Sequence, residues 1–336
     1  MDSSYYAQLV TKRGLHYEYF YSPALPHKPT LFFLHGFPSQ SHEWHRQVEH
    51  FKPLGYGILA PDMLGAGRTS RPLDSKDWKL NLMAADLVDI LEAAKLEQVI
   101  GIAHDWGCAA LSRLSILFPE RFLGFVWLGL SFLEPITEKF ELDAAMAITK
   151  EYLGYEGYSY WKFFEQQDSA KTIQDHVDSF IQLLYPKDPS TWLTYMALPG
   201  KTAEWIENDM KPGFPDYLSM EDIDDIRRNV LDNGGIKSSL NWYISQIESN
   251  DLEDNLNIPK ERWWLQSPSL FIAASRDYIC TPKRGKDVMA RYASEVKIVD
   301  VDTGHWVHLE ASDKVNAEIE QWLNELEHSE DFEYFP

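Results

Sequence analysis

Cysteine is scarce in this chain: Cys108 and Cys280 are the only two in 336 residues. Two cysteines make neither a disulfide framework nor a zinc site of the usual spacing. Long apolar runs are missing as well. The longest, Phe125 to Leu133, contains Gly129 and Ser131 and falls far short of a bilayer span. The opening stretch "MDSSYYAQLVTKRG" lacks the apolar core of a signal peptide. Positive charge is in short supply, with 31 Lys and Arg against 52 Asp and Glu, for a net charge of −21. So acidic a surface repels phosphate backbones and anionic lipid, which argues against nucleic acid or membrane as partners. No internal repeat is present, and the acidic end "NELEHSEDFEYFP" reads as a solvated tail. These absences together lead us to expect a soluble, cytoplasmic protein.

What is abundant is apolar and aromatic residues, 44% and 14% of the chain, enough for a large core. Short β-rich runs recur at 30–35, 56–61, 98–104, 124–130, 269–274 and 295–301, most of them separated by helical patterns such as "DLVDILEAAKL". That alternation predicts a doubly wound, mostly parallel α/β sheet. The alternating "GLHYEYFYSP" predicts an antiparallel edge hairpin. Between about 135 and 250 the rhythm breaks into helix-like, aromatic segments, "EGYSYWKFFEQQ" and "SLNWYISQI" among them. The expected organisation is a core of residues 1–135 and 251–336 with a helical cap at 136–250.

One junction raises a chemical question. In "GIAHDWGCAA" an aspartate, Asp105, stands between a buried strand run and a helix, where its charge is costly unless compensated. A strand, a sharp turn with one exposed side chain and a helix make a nucleophile elbow, which needs small residues two before and two after; Ala103 and Gly107 meet that demand. The first N–H groups and the dipole of the following helix are expected to compensate the carboxylate. A plain helix N-cap is the rival reading of Asp105. A carboxylate nucleophile attacks an sp³ carbon and becomes an ester that water must hydrolyse. His305 in "DTGHWVHLE" and Asp277 in "AASRDYICTP" follow the last two strand runs, in the order nucleophile, acid, histidine. Glu134 is a competing position for the acid. The N–H groups of Phe37 in "LHGFPSQ" and of Trp106 are candidates for an oxyanion hole.

"HGFP", "HDWG", "DTGHW" and "SLNWY" resemble the motif set of soluble epoxide hydrolases of the α/β-hydrolase fold over about residues 10 to 325, fungal members most closely. The resemblance implies epoxide hydrolysis to a vicinal diol through an aspartyl ester, with no cofactor or metal. It implies two cap tyrosines on the epoxide oxygen, Tyr243 in "NWY" and Tyr160 in "YSYWKFF", with Tyr158 as the alternative to Tyr160. Ala103 departs from the glycine common in the family, and a small residue suffices there. Phe37, Trp106 and Trp306 are expected to line the pocket, each also compatible with plain core packing. A haloalkane dehalogenase shares the aspartate nucleophile, but Phe37 offers no side-chain donor to a halide. A ligand receptor on the same fold is the rival outside catalysis. "LGAGRTS" holds only part of a dinucleotide fingerprint. "HEWH", with His42 and His45 three apart, reads as a solvated helix start rather than a metal site.

Overall fold

Buried β-rich runs assemble into one eight-stranded sheet in the computed structural model, which describes residues 1–328. Strands β1 (Tyr6–Val10), β2 (His16–Ser22), β3 (Thr30–Leu34), β4 (Gly57–Pro61), β5 (Val99–His104), β6 (Phe122–Leu128), β7 (Ser269–Ala274) and β8 (Val296–Val301) lie in the order β1-β2-β4-β3-β5-β6-β7-β8. The six from β4 across to β8 are parallel, and β1 and β2 form an antiparallel edge. Alternate residues feed two cores, as the period of two requires. Phe32, Leu34, Ala103, Trp127 and Phe271 pack with α2 (Leu80–Ala93) and α3 (Trp106–Leu117). Leu31, Phe33, Ile102, Val126 and Ile272 pack on the other face with α1 (His45–Phe51) and the helix Ser312–Glu327. Covering both faces is what makes the parallel strands read as unbroken apolar runs.

This winding locates a crevice. Neighbouring β3 and β5 send their chains to opposite faces, α1 on one and α3 on the other. Ligands of open α/β sheets bind outside the strand C-termini at such a switch point. Between β6 and β7 the chain forms short helices, from Leu142–Leu153 to Leu252–Leu256, and no strand. Their apolar residues, Phe164, Phe180 and Trp242 among them, join the core on the α3 side. The ring of Tyr243 meets Phe37 and Trp106 edge-on, which puts these helices over the crevice. No helix among the described residues is long and apolar enough to cross a membrane.

Four local expectations need correction. The fourth core strand is Phe122–Leu128 rather than 124–130, because Phe122 already pairs with Val99 and Gly129 turns the chain at φ +70°. The antiparallel edge hairpin is present, but its first strand lies at Tyr6–Val10, ahead of the alternating stretch, and is half-buried to exposed with no fully buried residue. "HEWH" is not solvated: Trp44 is fully buried, His42 Nδ1 lies 2.8 Å from Asp225 and His45 Nε2 3.1 Å from Asp222, both on the helix Met220–Leu231. The first part of the acidic tail is the end of the helix Ser312–Glu327, where Glu325 and Glu327 pair with Lys297 and Lys28. The rest of it, residues 329–336, lies outside the described residues.

Candidate active site

β5 ends at His104 and α3 begins at Trp106, so Asp105 carries the whole reversal, at φ +50° and ψ −127°. This φ with this ψ lies outside the left-handed α well as well as the other favoured regions, a strain of the kind that clusters at active sites. The turn closes only because its neighbours are small: a Cβ on Gly107 would come within 2.1 Å of the Leu34 carbonyl oxygen, and one on Gly36 within 2.3 Å of Asp105 Oδ1 and 2.7 Å of Trp106 N. The α3 backbone does not compensate Asp105 as expected, since its side chain accepts no capping bond. An N-cap needs extended backbone, and this φ withdraws the carboxylate from that position. Phe37 N–H donates to Asp105 Oδ1 at 2.9 Å instead, and His305 Nε2 lies 3.6 Å from Oδ2. Burial alone would raise the Asp105 pKa, but His305 and the Phe37 N–H outweigh it and hold the carboxyl below its ordinary value. Asp105 is therefore ionised at neutral pH.

His305 follows β8 and is oriented by Asp277, which follows β7. Its Nδ1–H donates to Asp277 Oδ2 at 2.6 Å. Asp277 is in turn fixed by the N–H groups of Ile279 and Cys280, each 2.8 Å from Oδ1. Burial would lower the His305 pKa, yet Asp277 and Asp105 together carry it well above the ordinary histidine value. The competing acid, Glu134, lies on a cavity wall, and the partner of His305 Nδ1 is Asp277.

Tyr160 and Tyr243 face each other from two short helical segments, rings 5.8 Å apart, and both share a cavity wall with Asp105. Burial raises both phenols well above their ordinary pKa, so they stay protonated. Tyr158 is engaged elsewhere, accepting a 2.8 Å hydrogen bond from Arg284 Nη1. Phe37 and Trp306 border the same space as His305, and Trp106 lies in the wall of a larger chamber beyond Asp105. Trp306 is also a core residue, stacked on Tyr185 with its indole N–H 2.7 Å from the Leu184 carbonyl.

A polar layer beneath His305 escaped the reading of the sequence. His104 Nε2–H donates to the His305 carbonyl at 2.9 Å, and His308 Nε2 lies 2.9 Å from Glu43 Oε1, which is also bonded through Oε2 to Ser39. Burial drives His104 down to about 3 and His308 well below its ordinary value, so both rings are neutral, while it raises Glu43. The one signal was Glu43 within "HEWH". Glu43, His104 and His308, and likewise Asp277, Cys280 and His305, bring ligating atoms within 4.8 Å of one another. In the second group burial pushes the Cys280 thiol up to about 11, which makes it a poor metal ligand, and His305 Nδ1 is already bonded.

Together these groups place an ionised carboxylate, a histidine oriented by a second aspartate and two protonated phenols around one cavity. The family model for the alpha/beta hydrolase fold matches residues 29–312. Epoxide hydrolase A of Mycobacterium tuberculosis is 26% identical over an aligned length of 313, covering 90% of this chain and 92% of that protein. Epoxide hydrolase srdG of Neurospora crassa is 26% identical over 316 residues, 91% and 90% of the two chains. Among solved structures, an epoxide hydrolase mutant of Vigna radiata superposes with a TM-score of 0.78 at 21% identity, over 95% of this chain and 98% of that one.

Proposed function

The chain belongs to the α/β-hydrolase fold family, and from that premise we propose that it hydrolyses epoxides to vicinal diols. The observation that carries this reading is Asp105, ionised on a strained turn, between the Asp277-oriented His305 and two protonated tyrosines. The named relatives support it. Asp105 attacks an epoxide carbon, the ring C–O bond breaks, and Tyr160 and Tyr243 donate hydrogen bonds and a proton to the leaving oxygen. The product of this step is an ester of Asp105. Its formation removes the carboxylate charge that helps hold the His305 proton, so the imidazole becomes a base. His305 takes a proton from water, the hydroxide attacks the ester carbonyl carbon, and the N–H groups of Phe37 and Trp106 receive the developing oxyanion. Collapse breaks the Asp105 ester; the diol leaves with one proton from the phenol and one from water, and the phenolate recovers its proton from the His305 imidazolium. Tyr160 rather than Tyr158 takes this role, since the Tyr158 hydroxyl is held by Arg284.

On this reading residues 1–135 and 251–336 form the catalytic core and 136–250 the cap. Epoxide and water are the only reactants, and no metal or cofactor enters a step. The free thiols Cys108 and Cys280 suit a reducing compartment, and we place the enzyme in the cytoplasm. The test is a single turnover in ¹⁸O-water with enzyme in excess over styrene oxide. The expected result is mostly unlabelled diol and ¹⁸O in the Asp105 carboxylate. Label in the first diol would mean direct attack by water, with Asp105 as a base. Halide release from haloalkanes without any diol would assign the site to dehalogenation, and reversible epoxide binding without product to a receptor.

A further inference from the structure

The space around Asp105 is divided unequally. On one side is a chamber of about 420 Å³ whose lining includes Leu130, Phe132, Phe140 and Val288 together with the charged Glu134 and Arg284. On the other is a pocket of about 30 Å³ that includes His305. Asp105, Tyr160, Ile279 and Cys280 border both, so an epoxide ring held between Asp105 and the tyrosines lies at the boundary. The larger chamber falls within the range that encloses a small organic ligand, about 300–1,000 Å³. The smaller has room for about two water molecules.

The walls of the smaller pocket are firm. Leu184, Trp192 and Met196 close it, each at most 5% exposed. The Trp192 indole N–H is fixed by the Leu183 carbonyl at 2.8 Å, and its ring lies 5.1 Å from that of His305. A well-packed wall resists widening, because displacing its buried side chains forces them off their preferred rotamers.

Building on the epoxide-opening reading, we propose that the two spaces have separate tasks and that the substrates are epoxides with one bulky apolar substituent. The chamber takes that aryl or alkyl group. The pocket beside His305 takes the hydrolytic water and leaves space for no more than hydrogen or methyl on the second epoxide carbon. An epoxide with a large group on each carbon has to put one of them where the water and His305 meet.

The experiment compares kcat/KM for styrene oxide, trans-β-methylstyrene oxide and trans-stilbene oxide, whose second substituent grows from hydrogen to methyl to phenyl. The first two should agree within about tenfold, and the third should fall by at least about a hundredfold. Met196→Ala and, separately, Leu184→Ala should raise the stilbene-to-styrene ratio by about tenfold, with circular dichroism confirming the fold of each. Equal turnover of stilbene oxide and styrene oxide by the wild-type protein would overturn the division while leaving epoxide hydrolysis intact. A ratio unmoved in both folded variants would also overturn it. No diol from any of the three would instead overturn the reading of the site on which the proposal rests.

Discussion

The half of the site built on the sheet is charged and bonded, whereas the half supplied by the helices between β6 and β7 is neutral and packed. Asp105, His305 and Asp277 stand just beyond β5, β8 and β7, and the contacts between them span 2.6 to 3.6 Å. Tyr160 and Tyr243 are held by ring contacts, Tyr243 alone touching Phe37, Trp106, Trp161 and Phe164. A parallel sheet fixes its strand ends by a backbone ladder, and a line of close carboxylate–imidazole contacts needs that accuracy. Aromatic packing fixes shape more loosely and keeps phenols dry and protonated. Changes on the sheet side should therefore abolish a chemical step, and changes on the helical side should slow a step or alter substrate choice.

The sharpest test of that division is His305→Gln. Loss of a general base costs about 10²–10⁴-fold in turnover, and here the loss should fall mainly on ester hydrolysis, with alkylation slowed less as Asp105 loses the His305 contact that lowers its pKa. The variant should react once with styrene oxide and stall, with the full substrate mass on Asp105 by intact-protein mass spectrometry and peptide mapping. The wild-type protein should show the same split with pH. Asp105 is held below its ordinary pKa, so single-turnover alkylation should be flat from pH 5 to 8. Hydrolysis needs neutral His305 and should fall about tenfold per pH unit on the acid side of its pKa in the ester. If both steps follow one pH curve, the two roles are not separate.

A smaller effect is expected on the helical side. Tyr160→Phe or Tyr243→Phe removes one donor from the developing alkoxide and should slow alkylation by about 10–1,000-fold. Hydrolysis of a preformed ester should change little, because the phenols act on the other oxygen. Single-turnover kinetics separates the two steps. Slowed hydrolysis with unaffected alkylation would place the tyrosines on the wrong step.

The same contrast explains what the sequence made legible. Asp105, His305 and Asp277 each follow an apolar strand run, so the order of runs was enough to line them up. Tyr158 and Tyr160 sit two apart in one aromatic stretch, and the structure separates them by the Arg284 bond to Tyr158 and by the place of Tyr160 opposite Tyr243. Glu43, His104 and His308 come from three distant segments and meet only in space, so nothing in the sequence linked them. β1, with no fully buried residue, carries no apolar run, and its partner β2 alone was visible.

The smallest expected effect concerns the seam between the two halves. Asp222 begins the helix Met220–Leu231, which also sends Asn229 to the Pro38 and Ser39 carbonyls at 2.6 and 3.0 Å. Its carboxylate accepts from Ser219 N–H at 2.9 Å and from Arg46 at 3.3 Å, with His45 Nε2 3.1 Å away. Burial would raise its pKa, but the His45 and Ser219 contacts prevail and hold it far below the ordinary carboxylate range. A depressed folded pKa means stability that is present above the unfolded pKa, near 4, and is lost as pH falls toward the folded value. Asp222→Asn keeps the shape and the Ser219 bond but removes the charge facing Arg46 and His45. It should cost about 1–3 kcal/mol, the worth of a charged hydrogen-bonding group, and so lower Tm by a few degrees at pH 7. The gap from wild type should be full between pH 5 and 7 and shrink below about pH 4, as protonation removes the same charge from the wild-type protein. The accumulated ester in the His305→Gln background should remain on Asp105 whether or not Asp222 is changed. An altered pH profile of hydrolysis in Asp222→Asn would mean that the seam tunes the charged site as well as holding the cap, and the two halves would then be coupled rather than merely joined.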